Sequence, residues 1–360
     1  MFDIDGLLRK AVEQDASDIH LCEAQPPVIR VHGKLLRQGG LPMTRKEMEE
    51  ACARLIPPDK RADFDAMHDV DFSYSIPGLG RFRVSAYMQR GTPALALRAI
   101  PFRILSLREL GLPEILATLG DKPHGLVLVT GPTGSGKSTT LASLIDGINE
   151  QYEKHIVTLE DPIEFLHRHK KSVVNQREIG SDTGSFARGL RAALRQDPNV
   201  ILVGELRDLE TITIALQAAE TGHLVLATLH TNDAASTIDR VIDVFPPDQQ
   251  QQVRVQLAAT LQGVVAQRLF PRRDKAGRVV ALEILMVTPA VRNLIREGKS
   301  HQILSVIQTG GKLGMRTMEH SVKELYDQGM IALEDYQAYS QEKAGQKQQQ
   351  QLPAQAGFMR

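Results

Sequence analysis

Tryptophan is absent from the 360-residue sequence, and cysteine occurs only at Cys22 and Cys52. Two thiols cannot build a tetrahedral zinc site alone. So few in so long a chain point to a reducing compartment without a disulfide framework, and they read as ordinary, partly buried thiols. Net charge is missing too, with 43 Lys and Arg against 43 Asp and Glu. Together with only 4% aromatic residues, that balance argues against a chain built mainly to coat nucleic acid or an anionic membrane. Local basic patches remain compatible with it. Long apolar runs are lacking, because GLVLVTG and NVILVG fall far short of the roughly 20 residues needed to span a bilayer. The opening MFDIDGLLRK is charged and has no signal-peptide core. The expectation is a soluble cytoplasmic protein, with hydrophobic residues at 42% and a length sufficient for two or more domains.

Two patterns divide the chain. Residues 2–14 suit a short amphipathic helix with Leu7, Leu8 and Val12 on one side, followed by strand-like DIHLC and PVIRVHGKLLR and a helical MTRKEMEEACARLI. FSYSI and RFRVSAYMQ then flank the turn PGLG, and PALALRAI continues the sheet. In RFRVSAYM, alternation puts Phe82, Val84, Ala86 and Met88 on one face and Arg81, Arg83 and Ser85 on the other. This first, α+β region covers residues 1–101, and 102–112 reads as a linker. Beyond it, short apolar strands alternate with helices, as in GLVLVTG, HIVTLE, SVVNQ, FARGLRAALR, NVILVG, LETITIALQAAE and HLVLATLH. That alternation predicts an α/β fold with a parallel sheet covered on both faces. From about Pro246 to Glu342 the signal is mostly helical, apart from a hairpin around RRDKAGRVVALEI. The second domain therefore spans 113–345, and the glutamine-rich tract 346–360 is expected to be disordered.

GPTGSGKST, residues 131–139, carries the strongest chemistry. Gly131, Gly136, Lys137 and Ser138 match G-x-x-x-x-G-K-[ST] between a buried strand and an amphipathic helix. In such a loop, Pro132, Thr133, Gly134, Ser135 and Thr139 supply backbone to wrap phosphate oxygens, at a helix N-terminus that favours negative charge. Lys137 suits the β- and γ-phosphates of ATP, and Ser138 suits Mg²⁺. Acids are then expected at the C-terminal ends of neighbouring strands. Two stretches qualify: TLEDPIEFLH, with Glu160, Asp161 and Glu164, and VILVGELRD, where Glu205 takes the Walker B position. Spacing alone does not rank them. His223 lies near the start of HLVLATLH and His230 at its C-terminal end, which makes His230 the better γ-phosphate sensor. Either histidine also suits a structural hydrogen bond, and no third ligand makes them a metal pair. Arg81, Arg83 and Arg98 read as a polar sheet face, although a phosphate site can recruit arginine from another domain or subunit.

ASDIHL, GPTGSGKST, TLEDPIEF, VGELRDLETI and TGHLVLATLHTNDAASTIDRVID together resemble the type II/IV secretion ATPase family over residues 2–340. Within that family the match is to retraction ATPases of type IV pili. The resemblance implies a PAS-like first domain, a RecA-like P-loop second domain and a homohexameric ring. It places ATP between the two domains, with the first domain of an adjacent subunit closing over it. It assigns Glu164 as the acid that activates water and Glu205 as the acid that holds Mg²⁺ through water. Glu160 and Asp161 become supporting acids, and His223 and His230 fall in the family's His box. Arg83 and Arg98 match arginines that reach the γ-phosphate. Implied partners are an inner-membrane pilus platform protein and a second retraction ATPase, with no nucleic acid and no membrane insertion. The motor would work at the inner face of the cytoplasmic membrane.

TPAVRNLIREGK, residues 288–299, reads as a surface helix capped by Thr288, with Pro289 first and Gly298 ending it. Val291, Leu294 and Ile295 face inward; Arg292, Asn293, Arg296 and Glu297 face outward. It resembles the AIRNLIRE motif of retraction ATPases. The competing readings are an assembly or secretion ATPase, whose four-cysteine zinc insertion has no counterpart among two cysteines, and an accessory retraction ATPase. A RecA-like nucleic-acid motor and a nucleotide-binding scaffold without turnover are the remaining alternatives.

Overall fold

The computed structural model describes residues 3–31, 33–100 and 103–351, with side chains up to Lys343 in the last helix. The chain divides into two compact units, Met1–Arg103 with Glu164–Leu166, and Ile104–Ile163 with His167–Arg360.

The first unit contains α1 (Ile4–Glu13), β1 (Ala16–Leu21), β2 (Val28–Val31), β3 (Lys34–Arg37), α2 (Arg45–Leu55), α3 (Pro58–Met67), β4 (Asp69–Ile76), β5 (Gly80–Gln89) and β6 (Thr92–Ile100). Its strands form one sheet in the order β3-β2-β1-β6-β5-β4, antiparallel throughout. Period-two alternation decides what each face does. Phe82, Val84 and Ala86 of β5 are fully buried with Ile19, Ile29, Leu95 and Leu97, and the core includes Leu8 of α1 and Met48 and Leu55 of α2. Met88, expected on this face, sits at the rim beside the Arg90–Gly91 turn and is 37% exposed. In α1, Ile4, Leu8 and Ala11 are buried, while Leu7 and Val12 pack at the edge. Thr44 and Glu47 form a reciprocal capping box at the start of α2. Helix α3 left no signal in the sequence pattern because none of its residues is buried, and an apolar stripe is what periodicity detects.

The second unit contains α4 (Ala117–Gly120), β7 (Gly125–Thr130), α5 (Lys137–Gln151), β8 (His155–Glu160), β9 (Val173–Glu178), α6 (Phe186–Ala193), β10 (Val200–Val203), α7 (Leu209–Glu220) and β11 (Leu224–Leu229). It continues through α8 (Ala234–Asp243), α9 (Pro247–Thr260), β12 (Leu261–Pro271), β13 (Arg278–Met286), α10 (Pro289–Arg296), α11 (Ile303–Thr309), α12 (Met318–Asp327) and α13 (Leu333–Gln351). Seven strands lie in the order β13-β12-β7-β11-β10-β8-β9. All neighbours pair in parallel except β12 with β13. Every residue of β7, β10 and β11 is buried, as a sheet covered on both faces requires. Leu141, Leu144, Ile145 and Ile148 of α5 pack one face, and α7, α8 and α9 supply much of the core on the other.

Three expectations change. The stretch LQGVVAQRLFP, read as part of a mostly helical region, is β12 and extends the main sheet beside β7. Residues 263–267 are all buried, so adjacent positions do not alternate and the period-two signature is lost. The expected hairpin is present, but its first strand begins at Leu261. The segment read as a linker packs with the second unit: Leu107 and Leu110 lie against the core that buries Leu112, Leu116 and Leu119. Finally, α13 runs to Gln351, into the tract expected to be disordered; Gln, Lys and Ala are good helix formers. Residues 352–360 of that tract lie outside the described residues.

Replacing Ile145 by alanine is expected to destabilise the second unit by about 2–5 kcal/mol. Thr44→Ala, which removes one capping box in the first unit, should cost about 1 kcal/mol. Urea unfolding of the two variants checks both the sizes and their order.

Candidate functional site

The loop after β7 is shaped by three glycines. Gly131, Gly134 and Gly136 have φ of 140°, 76° and 90°, a region that side chains rarely tolerate. At Gly131 the constraint is also steric, since a Cβ there would lie 2.3 Å from the Gln267 carbonyl oxygen. Gly136 is the N-cap of α5 and brings no side chain to accept from the first-turn N–H groups, which are thereby left for another acceptor. Lys137 Nζ donates to the Gly131 and Pro132 carbonyls at 2.8 and 3.1 Å. Ser135 Oγ is buried without a hydrogen-bond partner among the described residues. Pro132, Thr133 and Gly134 are exposed, while Ser138 and Thr139 are half-buried in the first turn of α5. Uncapped amides, an ammonium and a buried hydroxyl converge as donors for an anion with several oxygens.

Strand register brings the other groups to the same edge. Thr130 pairs with Leu229, and Val203 pairs with both Ala227 and Leu159, so the C-terminal ends of β7, β11, β10 and β8 lie together. Glu205 lies two residues past β10 and His230 directly follows β11. Glu205 accepts from Arg207 at 2.7 Å and lies 3.2 Å from His230 Nε2. Burial pushes the Glu205 carboxyl up, but Arg207 and His230 outweigh it and hold it below its ordinary value. The loop carrying Glu205 is pinned twice: Thr228 Oγ1 donates to the Gly204 carbonyl, and Leu206 N–H donates to the Thr228 carbonyl. Gly204 permits this, because a Cβ there would lie 3.1 Å from the Leu159 carbonyl oxygen.

Glu160, at the end of β8, accepts from Thr158 at 2.6 Å and Gln176 at 3.1 Å. The turn after it contains a cis Asp161–Pro162 peptide, and the buried Ile163 donates its N–H to Glu178. Asp161 and Glu164 are exposed. Residues 164–166 group with the first unit. His223 is separated from the phosphate loop by the length of a strand. It precedes β11, receives the Gly125 N–H on its carbonyl, and sets Nδ1 3.0 Å from the Ala218 carbonyl. Six strand residues, about 20 Å, separate it from His230. The two histidines therefore lie at opposite ends of one strand. No three His, Cys, Asp or Glu among the described residues cluster as a metal cage. Ser138 and Glu205 fit Mg²⁺ only in the usual manner of an ion that takes its remaining ligands from phosphate and water.

Arg83 and Arg98 lie in the first unit, directly opposite one another on β5 and β6. They sit in a row with Asp18 and Arg30 on the polar face of the sheet. Arg98 donates to Asp18 at 3.0 Å, Arg30 approaches Asp18 at 3.7 Å, and Arg83 lies 3.8 Å from Asp71. Burial raises the Asp18 carboxyl, but hydrogen bonds from Arg98 and Ser17 lower it further than that.

Two residues of the second unit escaped the sequence reading. Arg207 was visible in GELRD but carried no motif role. Gln267, 2% exposed, donates to the Ser135 carbonyl at 2.8 Å, and nothing in its local sequence signals that contact across 132 residues. One expectation about residues 288–299 is also corrected. Thr288 caps α10, Val291 and Ile295 are buried, and Gly298 follows with φ of 69°. Arg292 does not simply face outward: it donates to the Ala258 and Ala259 carbonyls at the C-terminus of α9, where helix carbonyls attract a cation.

A buried, mainly parallel sheet with a glycine-shaped anion loop and strand-end acids defines a P-loop nucleotide-binding domain. Residues 2–338 match the model of the type II/IV secretion system protein family, and the chain belongs to that family. It is 50% identical over 333 residues to the type IV pilus retraction ATPase PilT of Pseudomonas aeruginosa, covering 92% of this chain and 96% of that one. It is 49% identical to a twitching motility protein of Neisseria gonorrhoeae, covering 92% and 89%. A crystal structure of the pilus retraction motor PilT with bound ADP superposes with a TM-score of 0.86 at 47% identity, covering 93% of this chain and 96% of that one.

The lowered carboxyl of Asp18 adds stability that is present above the ordinary carboxylate range and lost as pH falls through its folded value. Arg98→Ala should move the Asp18 titration upward and lower the first unit's stability near neutral pH, by an amount that shrinks as pH falls through the carboxylate range. Carboxyl NMR titration of the two proteins checks the direction.

Proposed function

We propose that the chain is the subunit of a homohexameric ATPase motor that powers type IV pilus retraction. One observation carries the ATPase reading: the uncapped phosphate loop and the Glu205–His230–Arg207 group occupy the same strand-end edge. The likeness to PilT over 92% of the chain supports the pilus assignment.

In this reading the loop amides of residues 131–139 and Lys137 bind the ATP phosphates, at a helix N-terminus suited to negative charge. Ser138 and Glu205 hold Mg²⁺, which when bound neutralises charge on the phosphate oxygens. Glu164 takes a proton from the attacking water, and its exposed position leaves it free to meet substrate. His230, held by Glu205, donates a hydrogen bond toward the γ-phosphate. Arg83 and Arg98 from an adjacent copy stabilise the charge that develops as the phosphoryl group transfers. Glu160 and Asp161 support the charge balance of the site. His223, at the far end of β11, is left a structural role.

The motor would pull pilin subunits from the fibre base through an inner-membrane platform protein, beside a second retraction ATPase. It would act in the cytoplasm against the membrane's inner face. Among the described residues no helix is long and apolar enough to cross a membrane, so attachment falls to partners. The domain limits 1–101 and 113–345 belong to the same proposal.

Glu164→Ala should lower ATP turnover at least about a hundredfold, the usual contribution of a general base, while nucleotide binding persists. Lys137→Ala should weaken both. Steady-state turnover and equilibrium binding of the two variants, with twitching assayed in cells, decide it; full turnover by Glu164→Ala contradicts the assignment.

A further inference from the structure

Glycine lets the phosphate loop adopt its turns but does not fix the direction in which each peptide points. Gly134 and Gly136, both at positive φ, accept more than one peptide orientation at little cost. A trans peptide points its carbonyl and its N–H in opposite directions, so each peptide of the loop presents either a donor or an acceptor to a bound anion. Something outside the loop must choose.

Gln267 meets the loop at both ends. Strand β12 pairs with β7 so that Ala266 lies opposite Thr130, which sets Gln267 beside the first loop residue. Its carbonyl oxygen is the atom nearest a Cβ placed on Gly131. Its side-chain Nε2 donates to the Ser135 carbonyl at 2.8 Å and would lie 3.2 Å from a Cβ on Gly136. The side chain is buried, and its Oε1 has no hydrogen-bond partner among the described residues. It borders a cavity of about 310 Å³ shared with Pro132, Arg268, Tyr339, Glu342 and Lys343. The Ser135 carbonyl accepts, so the group facing it must be the amide nitrogen.

We propose that Gln267 is a positioning residue for nucleotide binding. Its amide holds the Ser135 carbonyl and so leaves the Gly136 N–H pointing the other way, available to a phosphate oxygen. Replacing the amide by a group that cannot donate abandons a buried carbonyl and removes the force that sets the peptide's direction. This inference rests on the reading that the loop binds the phosphates of ATP.

The test is binding of a fluorescent ATP analogue with Mg²⁺ to the full chain, alongside thermal unfolding. Gln267→Met keeps the length and loses the donor; it should bind about tenfold more weakly with its unfolding midpoint nearly kept. Gln267→Glu is the sharper variant, because its carboxyl donates only when protonated. Burial raises such a carboxyl's pKa, so binding should recover toward wild type between about pH 8 and about pH 6. Gln267→Met shares the surrounding Arg268, Tyr339, Glu342 and Lys343 and should show no such recovery. Wild-type affinity in Gln267→Met, or a pH profile identical in the two variants, overturns the proposal while leaving the ATPase reading intact. Should Gln267→Met fail to fold, the Gln267→Glu profile against wild type decides. A wild-type chain that does not bind the analogue contradicts both.

Discussion

A loop holds phosphate through backbone N–H groups only while its carbonyls face elsewhere, and glycine-rich backbone does not secure that alone. Gly131 must pass under the Gln267 carbonyl with no room for a side chain. Gly136 must begin α5 in the left-handed region. What holds the arrangement is burial on either side. β7 has every residue buried, and α5 is fastened to the sheet by Leu141, Leu144, Ile145 and Ile148. The sheet's stability and the loop's preorganisation are thus one property, because a core packed to native density leaves the strand ends no freedom to drift. The same rigidity carries Glu205 and His230 to the loop's edge through strand register.

Electrostatics completes the site from the opposite sign. Glu205 is held by Arg207 and His230, so its charge is already balanced at an edge where phosphate would otherwise repel it. In the first unit the signs reverse: Asp18 orders Arg98 and Arg30 in a row across an open sheet face. An arginine ordered by a neighbouring carboxylate loses less freedom when it engages phosphate, but it must also give up part of that pairing. The two units thus carry charge arrangements of opposite sense.

Much of this was legible because the signals were local. The loop, its flanking strand and its amphipathic helix lie within residues 125–151. Alternation in RFRVSAYM separated Arg83 from Phe82 and Val84 correctly. The losses were equally physical. β12 is buried on both faces over residues 263–267, so it carried no period-two alternation and was read as helix. Helix α3 has no fully buried residue and sets only Phe64 against the core, so it showed no stripe. Gln267 acts on Ser135 across 132 positions, and Arg292 acts on the end of α9. Neither contact is written in local spacing. The crowded carboxylates of TLEDPIEFLH could not be ranked from sequence physics; the family resemblance separated Glu164 from Glu205. The structure adds that Glu205 is the one fixed by ion pairs, whereas Glu164 is exposed.

The proposed division of labour gives one strand-end acid to the metal and another acid to water. Mn²⁺ in place of Mg²⁺ makes it measurable by electron paramagnetic resonance. The quantity to determine is Mn²⁺ affinity in the nucleotide complexes of wild type, Glu205→Gln and Glu164→Gln. The account predicts weakened metal binding in Glu205→Gln and wild-type metal affinity in Glu164→Gln. Loss of Mn²⁺ affinity in Glu164→Gln, with Glu205→Gln unaffected, would contradict it.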